Sequence, residues 1–209
     1  MRKWTSLGLA IAATAMATTQ VAAQQASPSW NGFYAGLNAG GMFGNTSGSV
    51  AGPGGPVGFS GTGSGFVGGG QAGYNYLLGP VVLGGEIDFQ GSTFAAGVNG
   101  GGPFGPLNTT ERMPWFSTMR ARVGYAVGSV MPYLTGGAVW GQRSIDGPIS
   151  ASANYWTWTA GGGIEGFITE RWSMKAEYLY MGTPSTSLLP TSNETVSNNL
   201  VRVGVNYHF

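Results

Sequence analysis

Asn198-Asn199-Leu200-Val201-Arg202-Val203-Gly204-Val205-Asn206-Tyr207-His208-Phe209 closes the chain, and its alternation decides how the rest is read. Val201, Val203, Val205, Tyr207 and Phe209 fall on one side of an extended strand, and Arg202, Gly204, Asn206 and His208 fall on the other. A period of two marks a strand whose faces meet different surroundings. In a soluble sandwich the apolar face meets a core and the polar face meets water. In a membrane barrel the assignment inverts: apolar side chains meet lipid and polar ones look into the lumen.

Composition favours the second arrangement. Charged residues are 8% of the chain, against roughly 25% in soluble domains, and Gly is 39 of 209 where ~7% is usual. That is too little charge to cover a soluble surface, whereas a barrel in lipid needs charge only in its lumen and loops. Cysteine is absent, which removes disulfides, thiol catalysis and thiolate metal sites together.

The first residues, Met1-Arg2-Lys3, precede an apolar run from Trp4 to Ala17 and then Val21-Ala22-Ala23. A basic start, a short apolar stretch and small residues before a cut read as a cleaved secretory signal peptide over residues 1–23. The run is shorter than the ~20 residues of a helical span, and no longer one follows. Removing Arg2 and Lys3 from nine bases leaves seven against eight acids, a balance that does not suit a nucleic-acid partner.

Walking back from the terminal strand, seven more alternating segments appear, at 33–43, 64–77, 81–89, 115–127, 133–143, 154–167 and 172–181. In the fifth, Leu134, Ala138 and Trp140 are assigned outward. Long Gly/Ser/Asn/Pro-rich stretches at 44–62, 91–112, 145–153 and 182–196 read as loops, and short turns lie at 78–80, 128–131 and 169–171. The pattern predicts an all-β fold: an eight-stranded antiparallel up-and-down transmembrane β-barrel over residues 33–209. It has four longer external loops and three short periplasmic turns, and residues 24–32 form a periplasmic lead-in. Both termini then lie in the periplasm, and the protein belongs in the outer membrane. Tyr76, Tyr125, Tyr133, Trp172, Tyr207 and Phe209 collect at one interface. Phe43, Phe66, Phe89, Trp115, Trp140, Trp156 and Tyr180 collect at the other, as two aromatic girdles.

Inward positions hold Glu86, Asp88, Glu165 and Glu177 against Arg120, Arg122, Lys175 and Arg202. An eight-stranded interior is just wide enough for side chains to fill, so these eight predict a salt-bridged plug. A charged constriction in a narrow pore for small solutes is the alternative. The G-x-G-x-x-G match at Gly63-Ser64-Gly65-Phe66-Val67-Gly68 lacks the strand-turn-helix setting of a dinucleotide site. No catalytic, cofactor or metal residues are assigned: His208 is the one histidine and lies at the periplasmic end. Glu111, Asp146, Glu194, Arg112 and Arg143 read as scattered, solvated loop charges. The chain is thus not read as an enzyme.

Trp30-Asn31-Gly32-Phe33-Tyr34-Ala35-Gly36 and the terminal Asn199 to Phe209 resemble the small outer-membrane β-barrel proteins of alphaproteobacteria, the RopB-like surface antigens and porin-like proteins. Tyr133-Leu134-Thr135-Gly136-Gly137-Ala138 and Glu177-Tyr178-Leu179-Tyr180 are similar to that family too. The resemblance implies a role in envelope structure and surface interaction without a cofactor, and Tyr207 and Phe209 as a signal read by the barrel-assembly machinery. Expected partners are outer-membrane lipid, lipopolysaccharide, and host or surface ligands met through the loops. Some members of the family bind haem, but no residue here carries that role over.

Overall fold

The two-residue alternation is realised as backbone pairing along nearly the whole described chain. The computed structural model describes residues 29–52, 55–102, 105–146, 151–183 and 191–209. The signal-peptide span 1–23 and most of the lead-in lie outside them. Eight strands follow one another: β1 Gly32–Gly52, β2 Gly55–Leu78, β3 Val81–Gly102, β4 Gly105–Tyr125, β5 Val130–Asp146, β6 Ala151–Phe167, β7 Trp172–Met181 and β8 Thr191–His208. Each pairs antiparallel with its chain neighbours, and β1 pairs with β8 from Tyr34↔His208 upward, so the sheet closes into a barrel without edges in its wall. Closure satisfies the backbone within the wall, as a lipid environment requires.

Which side chains face out is the reverse of a soluble protein. Phe33, Leu37, Phe66, Met119, Leu134, Val203 and Phe209 are exposed on the outer wall, while the acids and bases of the membrane level are buried. The fifth-strand assignment holds, with Leu134 and Trp140 exposed. Four aromatics run side by side around the external level: Phe89–Trp115 at 5.8 Å, Trp115–Trp140 at 5.1 Å and Trp140–Trp156 at 6.1 Å between ring centroids. At the periplasmic level Trp172, Tyr207 and Phe209 make the matching contacts at 5.2 Å each. Tyr133 departs from the expectation. It lies at the right height but on an inward position, 5% exposed, because parity along β5 and not strand height sets its direction.

The lumen is narrow enough that glycine is a steric requirement on its inner face. Along β1 the inward residues read Tyr34, Gly36, Asn38, Gly40, Met42, Gly44, Thr46. A Cβ on Gly40 would lie 2.1 Å from the Val201 carbonyl oxygen and 2.7 Å from the Arg202 Cα. Gly40 is therefore the seat against which the Arg202 strand closes.

The short turns at the periplasmic end match the expectation, with Gly79 and Gly128 at φ of +60° and +61°. The external stretches do not. Residues 44–62 and 91–112, expected as loops, are largely strand: Gly44 pairs with Gly63 and the ladder continues to Gly52↔Gly55, while Ala95↔Arg112 continues to Gly102↔Gly105. Glycine and serine keep both backbone hydrogen-bonding groups, so a run of them interrupts no ladder. β5 likewise runs to Asp146, and β8 starts at Thr191. Register slips between Gly91 and Phe94 on β3 and between Arg112 and Trp115 on β4 mark bulges, the second placed at Pro114, which has no N–H to donate.

Candidate functional site

Five of the eight strands carry acids or bases at inward positions, and closure of the barrel drives them into one cluster. Glu86 and Asp88 come from β3, Arg120 and Arg122 from β4, Glu165 from β6, Lys175 and Glu177 from β7, and Arg202 from β8. All eight expected residues are buried and all eight meet. Arg120 is the hub: Nη1 donates to Glu177 at 2.6 Å, and Nη2 donates to Asp88 at 2.9 Å and to Glu86. Lys175 Nζ donates to both Glu86 oxygens at 2.8 Å. Arg202 donates to Asp88 at 2.9 Å and to Glu177 at 2.8 and 3.0 Å. Arg122 donates to Glu165 at 2.8 Å. Four acids against four bases leave the layer neutral, the condition under which charges stay buried.

Polar residues not singled out from the sequence complete the layer. The Tyr34 hydroxyl donates to Glu86 at 2.8 Å, and the Thr118 hydroxyl to Asp88 at 2.8 Å. Arg122 Nε donates to Asn75 at 2.9 Å and lies over the Tyr34 and Tyr133 rings at 4.5 and 5.3 Å. Glu165 accepts from Ser173 at 2.6 Å and from Asn206 at 2.7 Å. The same parity that marked the ions marks these positions; what sequence lacked was the register that brings them into reach.

His208 is drawn into this set, its Nε2 2.9 Å from Ser173 Oγ and 3.6 Å from Glu165. Ser, His and Glu are thus adjacent, but the connectivity is not that of a hydrolase. Ser173 donates to the Glu165 carboxylate and so stands between acid and imidazole, whereas a hydrolase triad places the imidazole between serine and acid. All three are buried from solvent. The arrangement ties strands together.

Apolar layers seal the ionic layer from both sides. Toward the periplasm Trp30 of the lead-in turns into the mouth, its Nε1 donating to the Gly128 carbonyl at 3.2 Å and its ring 4.4 Å from Phe167. It packs there with Val82, Met131 and Tyr133. Toward the exterior, Met42, Val67, Phe94, Met113, Phe116 and Leu179 belong to a second buried apolar cluster. Beyond lies a second ion pair: Arg143 Nε donates to Glu111 at 2.5 Å, both buried. The expectation of Glu111 and Arg143 as solvated loop charges is therefore overturned. The β4–β5 ladder continues past the bulge and carries both residues onto the inner face. Arg112 and Asp146, on the outer face of the same ladder, pair at 2.8 Å in the open. The side chain of Glu194 lies outside the described residues.

Comparison with known proteins agrees with this architecture. A family model described as an outer membrane protein beta-barrel domain matches residues 9–209. The 31 kDa outer-membrane immunogenic protein of Brucella melitensis is 34% identical, over 98% of this chain and 97% of that one. The 22 kDa outer membrane protein of Rhizobium leguminosarum is 29% identical over 54% of this chain and 51% of its own. Among solved structures, Neisserial surface protein A has a TM-score of 0.51 at 16% identity, covering 85% of this chain and 97% of that chain. The outer membrane protein OprG from Pseudomonas aeruginosa has a TM-score of 0.52 at 14% identity, covering 86% and 98%. At such identities these two share the fold alone. With sequence, barrel closure and inverted polarity in accord, the chain belongs to the outer-membrane β-barrel family.

Proposed function

We propose that this outer-membrane barrel is a closed, non-catalytic anchor that holds its external hairpins at the cell surface for contact with lipopolysaccharide and with ligands outside the cell. The carrying observation is the lumen: a neutral ionic layer lies buried between two apolar layers, the arrangement of a filled interior. A wall held so rigidly suits display. The paired extensions of β1–β2 and β3–β4 rise past the aromatic level of Phe43 and Trp115 and present an elongated surface. The Brucella relative's name as an immunogenic outer-membrane protein supports the same surface exposure here. Exposed Phe209 and half-exposed Tyr207 at the periplasmic end support their reading as the strand recognised during assembly.

Planar-bilayer recording tests the reading. Protein whose SDS mobility shifts on heating, and which is therefore folded, is expected to give no discrete conductance steps. Regular steps from the same preparation would replace the closed anchor with the narrow pore.

A further inference from the structure

Three outward faces meet along the β7–β8–β1 wall, and their side chains are unequal. Ala35 and Ala39 are small, while Leu37, Trp172, Met174 and Tyr207 stand around them. The result is a groove of about 750 Å³ in the outer wall, almost wholly apolar in its lining. Register gives its height: Ala35↔Tyr207 lies at the periplasmic aromatic level and Ala39↔Val203 nearer mid-membrane. The groove therefore opens at the periplasmic interface and runs into the hydrocarbon.

A cation stands at that opening. Of the three periplasmic turns, at 79–80, 126–129 and 168–171, only the last contains charged residues, Glu170 and Arg171. Arg171 is exposed, and its Nη1 donates to the Tyr207 hydroxyl at 2.9 Å. Tyr207 itself lines the groove. The bond fixes the exposed guanidinium beside the groove and uses one of its five donors, with Glu170 the adjacent acid on the same turn.

We propose that this wall binds one anionic glycerophospholipid of the periplasmic leaflet, an acyl chain lying between Ala35, Ala39 and Val203 and the phosphate on Arg171. The apolar slot and the cation at headgroup level fit the two halves of such a lipid in the order and at the depth the bilayer presents them. A zwitterionic lipid fills the slot equally well but brings less net charge to Arg171. Preference for the anionic headgroup is the consequence.

The test is quenching of Trp172, which lines the groove. Folded protein is reconstituted into phosphatidylcholine bilayers containing increasing fractions of bromine-labelled phosphatidylglycerol or, in parallel, bromine-labelled phosphatidylcholine. The Trp172 signal is the difference from W172F. Half-quenching is expected at about fivefold lower mole fraction of the anionic lipid, the factor that one interfacial cation contributes. R171Q, on an exposed turn, is expected to keep its heat-dependent mobility shift and lose the preference; A39F, which fills the slot, is expected to lose it as well. Equal quenching by the two lipids, or a preference that survives R171Q, overturns the proposal. So does a preference abolished by millimolar inorganic phosphate, which would make the site a phosphate site only.

Discussion

Replacing Glu86 by methionine keeps the approximate volume of the side chain and removes the carboxylate that Tyr34, Arg120 and Lys175 share as acceptor. Lys175 Nζ loses both bonds of 2.8 Å and retains only Glu177, at 3.7 Å. Arg120 keeps Asp88 and Glu177, and the Tyr34 hydroxyl loses its acceptor. The layer then holds four bases against three acids, with Lys175 buried and nearly unpaired. Breaking a buried pair in this way costs about 3–5 kcal/mol, and the orphaned Tyr34 hydroxyl adds about 1 kcal/mol. The double variant E86M/K175M removes the partner also, and three acids again face three bases. Replacing a buried pair by apolar side chains of similar volume is close to neutral, so the double variant is expected within about 2 kcal/mol of wild type. The assay is urea unfolding of the barrel in lipid vesicles, followed by tryptophan emission, with wild type, E86M, K175M and E86M/K175M at one lipid-to-protein ratio. A positive coupling of about 2 kcal/mol or more is the expected reading of the cycle. Should E86M cost less than 1 kcal/mol, or E86M/K175M be less stable than E86M, the lumen does not hold together by charge neutrality and the reasoning fails.

Two contrasts test other layers by the same unfolding assay. G40A puts a methyl group 2.1 Å from a backbone oxygen of β8, whereas a Cβ on the adjacent, outward Gly41 meets nothing within 4 Å; G40A is expected to lose several kcal/mol or fail to close, and G41A to stay within about 1 kcal/mol of wild type. E111A removes the acceptor of Arg143 Nε on the buried inner face and is expected to cost more than R112A, which sits in the exposed pair with Asp146 and is expected to cost less than about 1 kcal/mol.

The wall and the ionic layer were legible because a strand writes its two faces into every second residue. Glu86, Asp88, Arg120, Arg122, Glu165, Lys175, Glu177 and Arg202 could be placed inward with no knowledge of contacts. Failures arose where another signal was used in place of parity. Height on the strand puts Tyr133 in the girdle, whereas the outward neighbours Leu134 and Trp140 put it inside, and parity wins. In residues 44–62 glycine signals a breaker, but a hairpin ladder uses only backbone groups and runs through it. Glu111 and Arg143 are 32 residues apart, and their meeting depends on a bulge that no alternation announces. Trp30 lies in a lead-in without periodicity, so nothing in its sequence surroundings aims it at the mouth of the barrel.

The ions and the apolar layers are a single device. Charges removed from water attract strongly only where water stays out, and here it is kept out by Trp30 and its neighbours on one side and by the Met42–Phe116 cluster on the other. The apolar layers, in turn, have the positions they do because the ionic layer fixes how far each strand can slide: a shift of one residue would turn every inward acid and base toward lipid. Rigidity of the wall follows from that mutual dependence. With the interior committed to closure, the surfaces left to meet other molecules are the paired hairpins above the external aromatics and the outer wall itself. On that wall, Arg171 beside the Ala35–Ala39 groove is where charge and apolar shape coincide.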